Sequence, residues 1–172
     1  MNRRGFTLTG MLVAIAIVVV LSAIGYPVIR AGVRASHKAA CLSNLRQIGV
    51  GLESYLGEHG QFMPELEAGR RSRDEDLPVL ETLLDDYLRD PGVFRCPADQ
   101  EQFAKSGSSY LWNTTQNGLH RTRLAFFGVE GDPSRIPLVI DKEAWHGGGG
   151  SGSNFLYADL SASNRVQFAT SD

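Results

Sequence analysis

From Phe6 to Ile29 the chain carries no charged side chain, and no later segment repeats a run of that length. A hydrocarbon core ~30 Å thick takes about 20 residues of α-helix at ~1.5 Å each, so this stretch is long enough to span a bilayer. A helix buried in a globular core is rarely apolar on every face for so long. Past it the pattern changes. Cys41, Leu45, Ile48, Leu52 and Tyr55 recur at alternating spacings of four and three, which is one face of a helix. Ser43, Asn44, Arg46, Gln47 and Glu53 occupy the other face. Gly49 and Gly51 weaken the helix, and Gly57 is the expected end. One helix of about 50 residues is therefore predicted, apolar all round in its first half and amphipathic in its second.

The tract Glu67 to Asp76 sets Arg70, Arg71 and Arg73 against Asp74, Glu75 and Asp76 and reads as a solvated loop. Asp76 is placed to cap a second helix with Pro78 near its first turn. Leu80, Leu83, Leu84, Tyr87 and Leu88 would form its apolar face, and Asp90-Pro91-Gly92 would stop it. Short strands follow: Tyr110–Trp112, Leu124–Val129, Ile136–Ile140, Asn154–Ala158 and Arg165–Phe168, with a hairpin turn over residues 159–164. A small antiparallel sheet packed against the long helix buries both apolar faces, so the expected class is α+β.

Without the apolar run, roughly 130 of the 172 residues remain for one soluble domain. The net charge of −2 provides no broad basic field for gripping nucleic acid, and none is expected as a partner. The two cysteines, Cys41 and Cys96, are too few for a structural zinc site by themselves. Outside the cytoplasmic membrane such a pair tends to oxidise, and the loop of about 55 residues would then stabilise by ~4 kcal/mol. Two free thiols are the alternative.

The boundary of the apolar run carries a motif. Arg3-Arg4-Gly5-Phe6-Thr7-Leu8 resembles the cleavage-and-methylation site of type IV pilins and type II secretion pseudopilins. A secretory signal fits less well, because the run is too long and ends in Tyr-Pro-Val-Ile-Arg, not at small residues. The resemblance implies that a prepilin peptidase cuts between Gly5 and Phe6 and methylates the new amino terminus. It also places the amino terminus on the cytoplasmic side of the inner membrane, which the chain spans once, and the bulk of the chain in the periplasm, which the balanced flanking charges do not decide. Four segments follow: a basic leader over residues 1–5, a transmembrane helix over 6–29, its amphipathic continuation over 30–57 and a globular pilin-like domain over 58–172. Pro27, twenty-second from Phe6, matches a position where these pilins often bend, and proline predicts a kink there.

One position departs from the family pattern. Where members usually carry glutamate, fifth from the cleavage point, this chain has Gly10. A charged amine among packed transmembrane helices costs several kcal/mol without a carboxylate beside it. Some minor pseudopilins at the tip of the assembly share this absence, so a tip subunit is one expectation and weak assembly the other. Cys41 to Gly49, Phe94 to Asp99 and the tail from His146 to Asp159 resemble a group of pilin-like proteins from environmental bacteria. Their tail joins a histidine and glycines to an Ala-Asp-Gly turn; here the intervening stretch is longer and Leu160 replaces the glycine.

Candidate chemistry is sparse. His146 with Asp141, Glu143 and Asp159 shows no fixed geometry in sequence, and no catalytic residue is assigned. Asp141 and Asp159 are candidates for a structural calcium, which a type II pseudopilin holds near its carboxyl-terminal loops. No other cofactor is expected. Gly147 to Gly150 lacks the Gly-Lys-Ser/Thr ending of a phosphate loop and reads as a connector. The expected function is a structural subunit of a pseudopilus or pilus, with prepilin peptidase, sister pilins and the inner-membrane assembly platform as partners. A membrane-anchored binding module for DNA or glycan that does not polymerise is the alternative.

Overall fold

A computed structural model describes residues 8–147 and 152–168. The chain divides into two compact units, Met1–Ser36 and His37–Asp172. A single helix, α1 (Leu8–Glu58), begins in the first and ends in the second, so its last turns belong to the globular unit.

In the first unit α1 is apolar on every side and covered on none. Leu8, Leu21, Ile24 and Ile29 are all more than 60 % exposed, and no side chain of its most apolar stretch is buried. Leu8 to Ile29 spans about 33 Å at ~1.5 Å per residue, close to a hydrocarbon core. The helix runs on through Pro27.

In the second unit the same helix becomes the spine of a core. Cys41, Leu45, Ile48, Leu52 and Leu56 are fully buried. The stripe thus closes on Leu56, while Tyr55 is partly buried, stacked on His59 at 3.9 Å and edge-on to Tyr87 at 6.1 Å. The expected stop at Gly57 is corrected. Gly57 lies inside the helix; Gly60 takes a left-handed φ of +61° and the Gln61 N–H donates to the Leu56 carbonyl at 2.9 Å.

Gly49 and Gly51 serve packing. A Cβ on Gly49 would stand 3.2 Å from Leu156 Cδ1, and one on Gly51 would stand 2.9 Å from Leu88 Cγ. Both are buried, and their bareness lets neighbouring chain approach the helix.

The sheet has four antiparallel strands: β1 (Tyr110–Trp112), β4 (Pro137–Asp141), β5 (Phe155–Tyr157) and β6 (Ala162–Ser163), in the order β1-β4-β5-β6. Leu138, Val139 and Leu156 from its two central strands join the helix stripe in one apolar cluster. The fold is α+β and pilin-like, a long amino-terminal helix packed with a small antiparallel sheet.

Three local expectations are corrected. The second helix is one turn, α2 (Leu80–Leu83), followed by a 3₁₀ turn over Leu84–Asp86. It cannot start at Asp76 because the Glu67 N–H draws the Pro78 carbonyl into a 2.8 Å bond and Val79 is extended; Thr82 Oγ1 then bonds the Val79 backbone. The run from Leu124 to Val129 splits into a hairpin of β2 (Ala125–Phe126) and β3 (Val129–Glu130). Phe127 and Gly128 form its two-residue turn, with φ of +45° and +80°. Residues 165–168 form no strand, since β6 pairs with β5 earlier; the Tyr157 hydroxyl donates to the Arg165 carbonyl and accepts from the Gln167 N–H.

The charged tract is tied down more firmly than a solvated loop. Arg70 pairs with Glu81 at 3.2 Å, both side chains largely buried, and its Nε donates to the Ser106 carbonyl. Burial pushes the Glu81 carboxyl above its usual range, opposed by Arg70 and Lys142. Arg73 donates to the carbonyls of Phe103 and Ala104, both inside α3 (Gln102–Ser106).

Leu52→Ala should cost about 2–5 kcal/mol in denaturant unfolding of the full chain in detergent, because it empties a fully buried site. Val50→Ala, at a position 66 % exposed on the same helix, should cost less than about 0.5 kcal/mol. Equal losses would contradict the assignment of the core face.

Candidate functional site

A polar island lies inside the apolar core of the globular unit. Cys41 projects from the buried face of α1, and Cys96 follows the 3₁₀ turn Pro91–Phe94. Their sulfurs are joined in a disulfide closing a separation of 55 residues. Ser109 fixes the approach of Cys96: its hydroxyl accepts from the Cys96 N–H at 2.9 Å and donates to Asp99 Oδ2 at 2.5 Å. Asp99 in turn accepts the N–H groups of Glu101, Gln102 and Phe103 and so caps α3.

His146 arrives from the far side. Its N–H donates to the Gly152 carbonyl at 2.8 Å, and its imidazole turns inward. Nε2 lies 3.2 Å from Cys96 Sγ and 3.6 Å from Asp141 Oδ2. Asp141, at the end of β4, is held by Asn154, whose backbone N–H and side-chain amide donate to Oδ2 at 2.7 and 3.0 Å. Its ladder partner across β1 is Tyr110.

Electrostatics make the island neutral in character. The His146 and Asp141 side chains are 2 % and 0 % exposed. Burial pushes the Asp141 carboxyl up to about 7, against the pull of the Asn154 hydrogen bonds. The His146 imidazole is pushed down by burial first and then by the charges of Lys38 and His37. Tyr110 is driven well above its usual range, by burial and then by Asp141. The histidine and aspartate therefore face each other with their charged forms disfavoured, not as an ion pair.

Sequence reasoning grouped His146 with Asp141, Glu143 and Asp159. Only Asp141 meets it. Glu143 turns to Gln102, accepting its amide at 2.6 Å. Asp159 stands beyond the other end of β5, exposed, with its Oδ1 accepting from the Ser161 N–H and hydroxyl. Asp141 and Asp159 stand toward opposite ends of the β4–β5 ladder, where Ile140 pairs with Phe155 and Pro137 with Tyr157. The contact of His146 with the disulfide was missed, because 50 residues separate it from Cys96 and no local pattern encodes that meeting. Leu160 adopts φ +65°, so the turn keeps the left-handed residue that the related glycine would supply.

Gly5 and Phe6 lie outside the described residues, as do three of the four glycines of 147–150. Their sequence context, however, can be compared. Residues 1–26 match the family model for the prokaryotic N-terminal methylation motif. The chain carries a prepilin-type methylation motif. With the long apolar helix that follows, this prepilin motif is consistent with a type IV pilin-like protein. It supports recognition by prepilin peptidase and fits a membrane-anchored pilin. No curated protein and no solved structure matches the chain.

Asp141→Asn keeps an acceptor for Asn154 but removes the titrating proton. The folded-state value lies above the ordinary one of 3.8, so the wild type loses stability as pH rises through roughly 4 to 7. The gain from Asp141→Asn should therefore grow, by on the order of 2 kcal/mol, between pH 5 and pH 8 in thermal unfolding of the full chain. A gain that shrinks over that range would contradict a carboxyl disfavoured by burial.

Proposed function

We propose that the chain is a pilin-like structural subunit, a minor pseudopilin or minor pilin. Prepilin peptidase cuts it between Gly5 and Phe6 and methylates Phe6. It then waits in the inner membrane with its globular unit in the periplasm, until the assembly platform draws it into a type II pseudopilus or a type IV pilus. The observation that carries this reading is the direct continuity of the methylation motif with a helix whose apolar faces have no cover of their own. Lipid covers that surface before assembly and sister helices after it.

Gly10 gives the subunit its place. Without a carboxylate there, it offers no partner for the terminal amine of a subunit ahead of it, which suits a position with no such neighbour, at the tip. The disulfide within the globular unit agrees with an oxidising, extracytoplasmic location.

A second reading draws on one observation. Phe127 is 82 % exposed at the β2–β3 turn, beside an edge-to-face chain of Phe126, Phe168 and Phe155. An exposed aromatic ring backed by others suits the apolar face of a sugar, so a membrane-anchored binding module that does not polymerise is the rival.

Gly5→Ala should leave the chain unprocessed, seen as a longer form on a gel of cells that contain the peptidase. Normal trimming of that variant would overturn the structural-subunit reading. Recovery of the wild-type chain in sheared filaments supports a subunit, and its complete retention in membranes together with glycan binding lost in Phe127→Ala supports the rival.

A further inference from the structure

The disulfide, imidazole and carboxylate form a set of donors that the structural role of a disulfide does not require. We propose that, when Cys41 and Cys96 are thiols, they and His146 hold a thiophilic divalent cation such as Zn²⁺, with Asp141 as fourth ligand, so that metal-bound and disulfide forms are alternative states of one site.

The donor atoms are already close together. Cys41 Sγ, Cys96 Sγ and a ring nitrogen of His146 lie within 4.8 Å of one another, all three residues buried. Zinc holds sulfur at about 2.3 Å and imidazole nitrogen or carboxylate oxygen at about 2.0–2.2 Å, so the edges of its tetrahedron are roughly 3.4–3.8 Å. Nε2 stands 3.2 Å from Cys96 Sγ and 3.6 Å from Asp141 Oδ2, near those edges. The two cysteine Cα atoms are 5.0 Å apart, so rotation of the side chains alone can part the sulfurs around one ion.

Two further observations favour a ligand there. Asp141 Oδ1 and Asn154 Oδ1 are buried without a hydrogen-bond partner among the described residues. A cation beside Asp141 gives one of these oxygens a partner. The carboxylate is also oriented in advance, since Asn154 holds Oδ2 through two hydrogen bonds, as outer groups orient metal ligands elsewhere. The donor type selects the ion. Two thiolates and an imidazole suit zinc and related soft ions, whereas calcium asks for six to eight oxygens.

The chemistry balances simply. Reduction of the disulfide by an external dithiol or phosphine supplies two electrons, and two protons make two thiols. Binding of Zn²⁺ then displaces those two protons and the proton of the Asp141 carboxyl where it is present, leaving two thiolates and a carboxylate for the metal, and the imidazole carries its one proton on Nδ1. Outside the cytoplasmic membrane a disulfide-exchanging oxidant that takes two electrons from the thiolates would restore the Cys41–Cys96 bond and release the ion. In the newly made chain the metal would clamp the helix α1 to the loop at Cys96 and to the end of β4 before the covalent bond does.

The test uses the full chain in detergent, reduced with a phosphine, loaded with Zn²⁺ and freed of excess. Elemental analysis should find one zinc per reduced chain and less than about one-tenth as much in the oxidised chain or in the reduced double variant Cys41→Ser, Cys96→Ser. Co²⁺ should give a thiolate charge-transfer band and tetrahedral d–d bands in the reduced wild type. His146→Ala should weaken zinc binding at least ~10-fold and Asp141→Asn by a similar factor. Circular dichroism follows folding throughout. Refolding of a reduced, metal-free chain on adding zinc supports the site. Equal zinc in the reduced wild type and the double serine variant overturns it, as does unchanged affinity in His146→Ala. A reduced chain that unfolds and is not restored by zinc also overturns it.

Discussion

The apolar surface of the first half of α1 governs everything else in the molecule. A fully buried aliphatic side chain gains about 1.5–3 kcal/mol over an exposed one, and more than a dozen such side chains stand uncovered between Leu8 and Ile29. Among the described residues nothing covers that surface, and the core of the globular unit is built from other side chains, from Cys41 onward. The surface must be met by lipid or by other helices. One continuous helix thus serves two solvents, with the change of pattern falling between Ile29 and Cys41.

The second half of the helix solves a different problem. A stripe only one face wide has to anchor a sheet of short strands, and strands of two to five residues contribute little by themselves. Close approach makes up the difference. Gly49 and Gly51 admit Leu156 and Leu88 against the backbone, and the disulfide ties the helix to the loop that leads into α3. The polar island around that bond is enclosed by the same core. Burial disfavours the charged forms of Asp141 and His146 there.

Much of this was legible in the chain. An uncharged run followed by a spacing of four and three fixes a long helix and its buried face without any partner in view. Strands bounded by turn residues were also visible. What periodicity could not show was anything decided by a residue far away. Gly49 reads as a weak point until Leu156 is beside it. Val79 is kept extended by a bond from Glu67 to its neighbour Pro78, so the second helix starts late. A phenylalanine in a left-handed turn is contrary to preference, so the β2–β3 hairpin read as one strand. The candidate site divided in the same way. Its processing motif is local and was found in sequence; the meeting of His146 with the disulfide is a tertiary fact and was not.

The central claim is that this helix is trimmed at its amino terminus and lives in lipid or among its own kind. Intact mass spectrometry of the native chain, extracted from membranes in detergent, tests it most directly. The account predicts a polypeptide that begins at Phe6 and carries one added methyl group. A chain that begins at Met1, unmethylated and recovered from aqueous extracts without detergent, would contradict it.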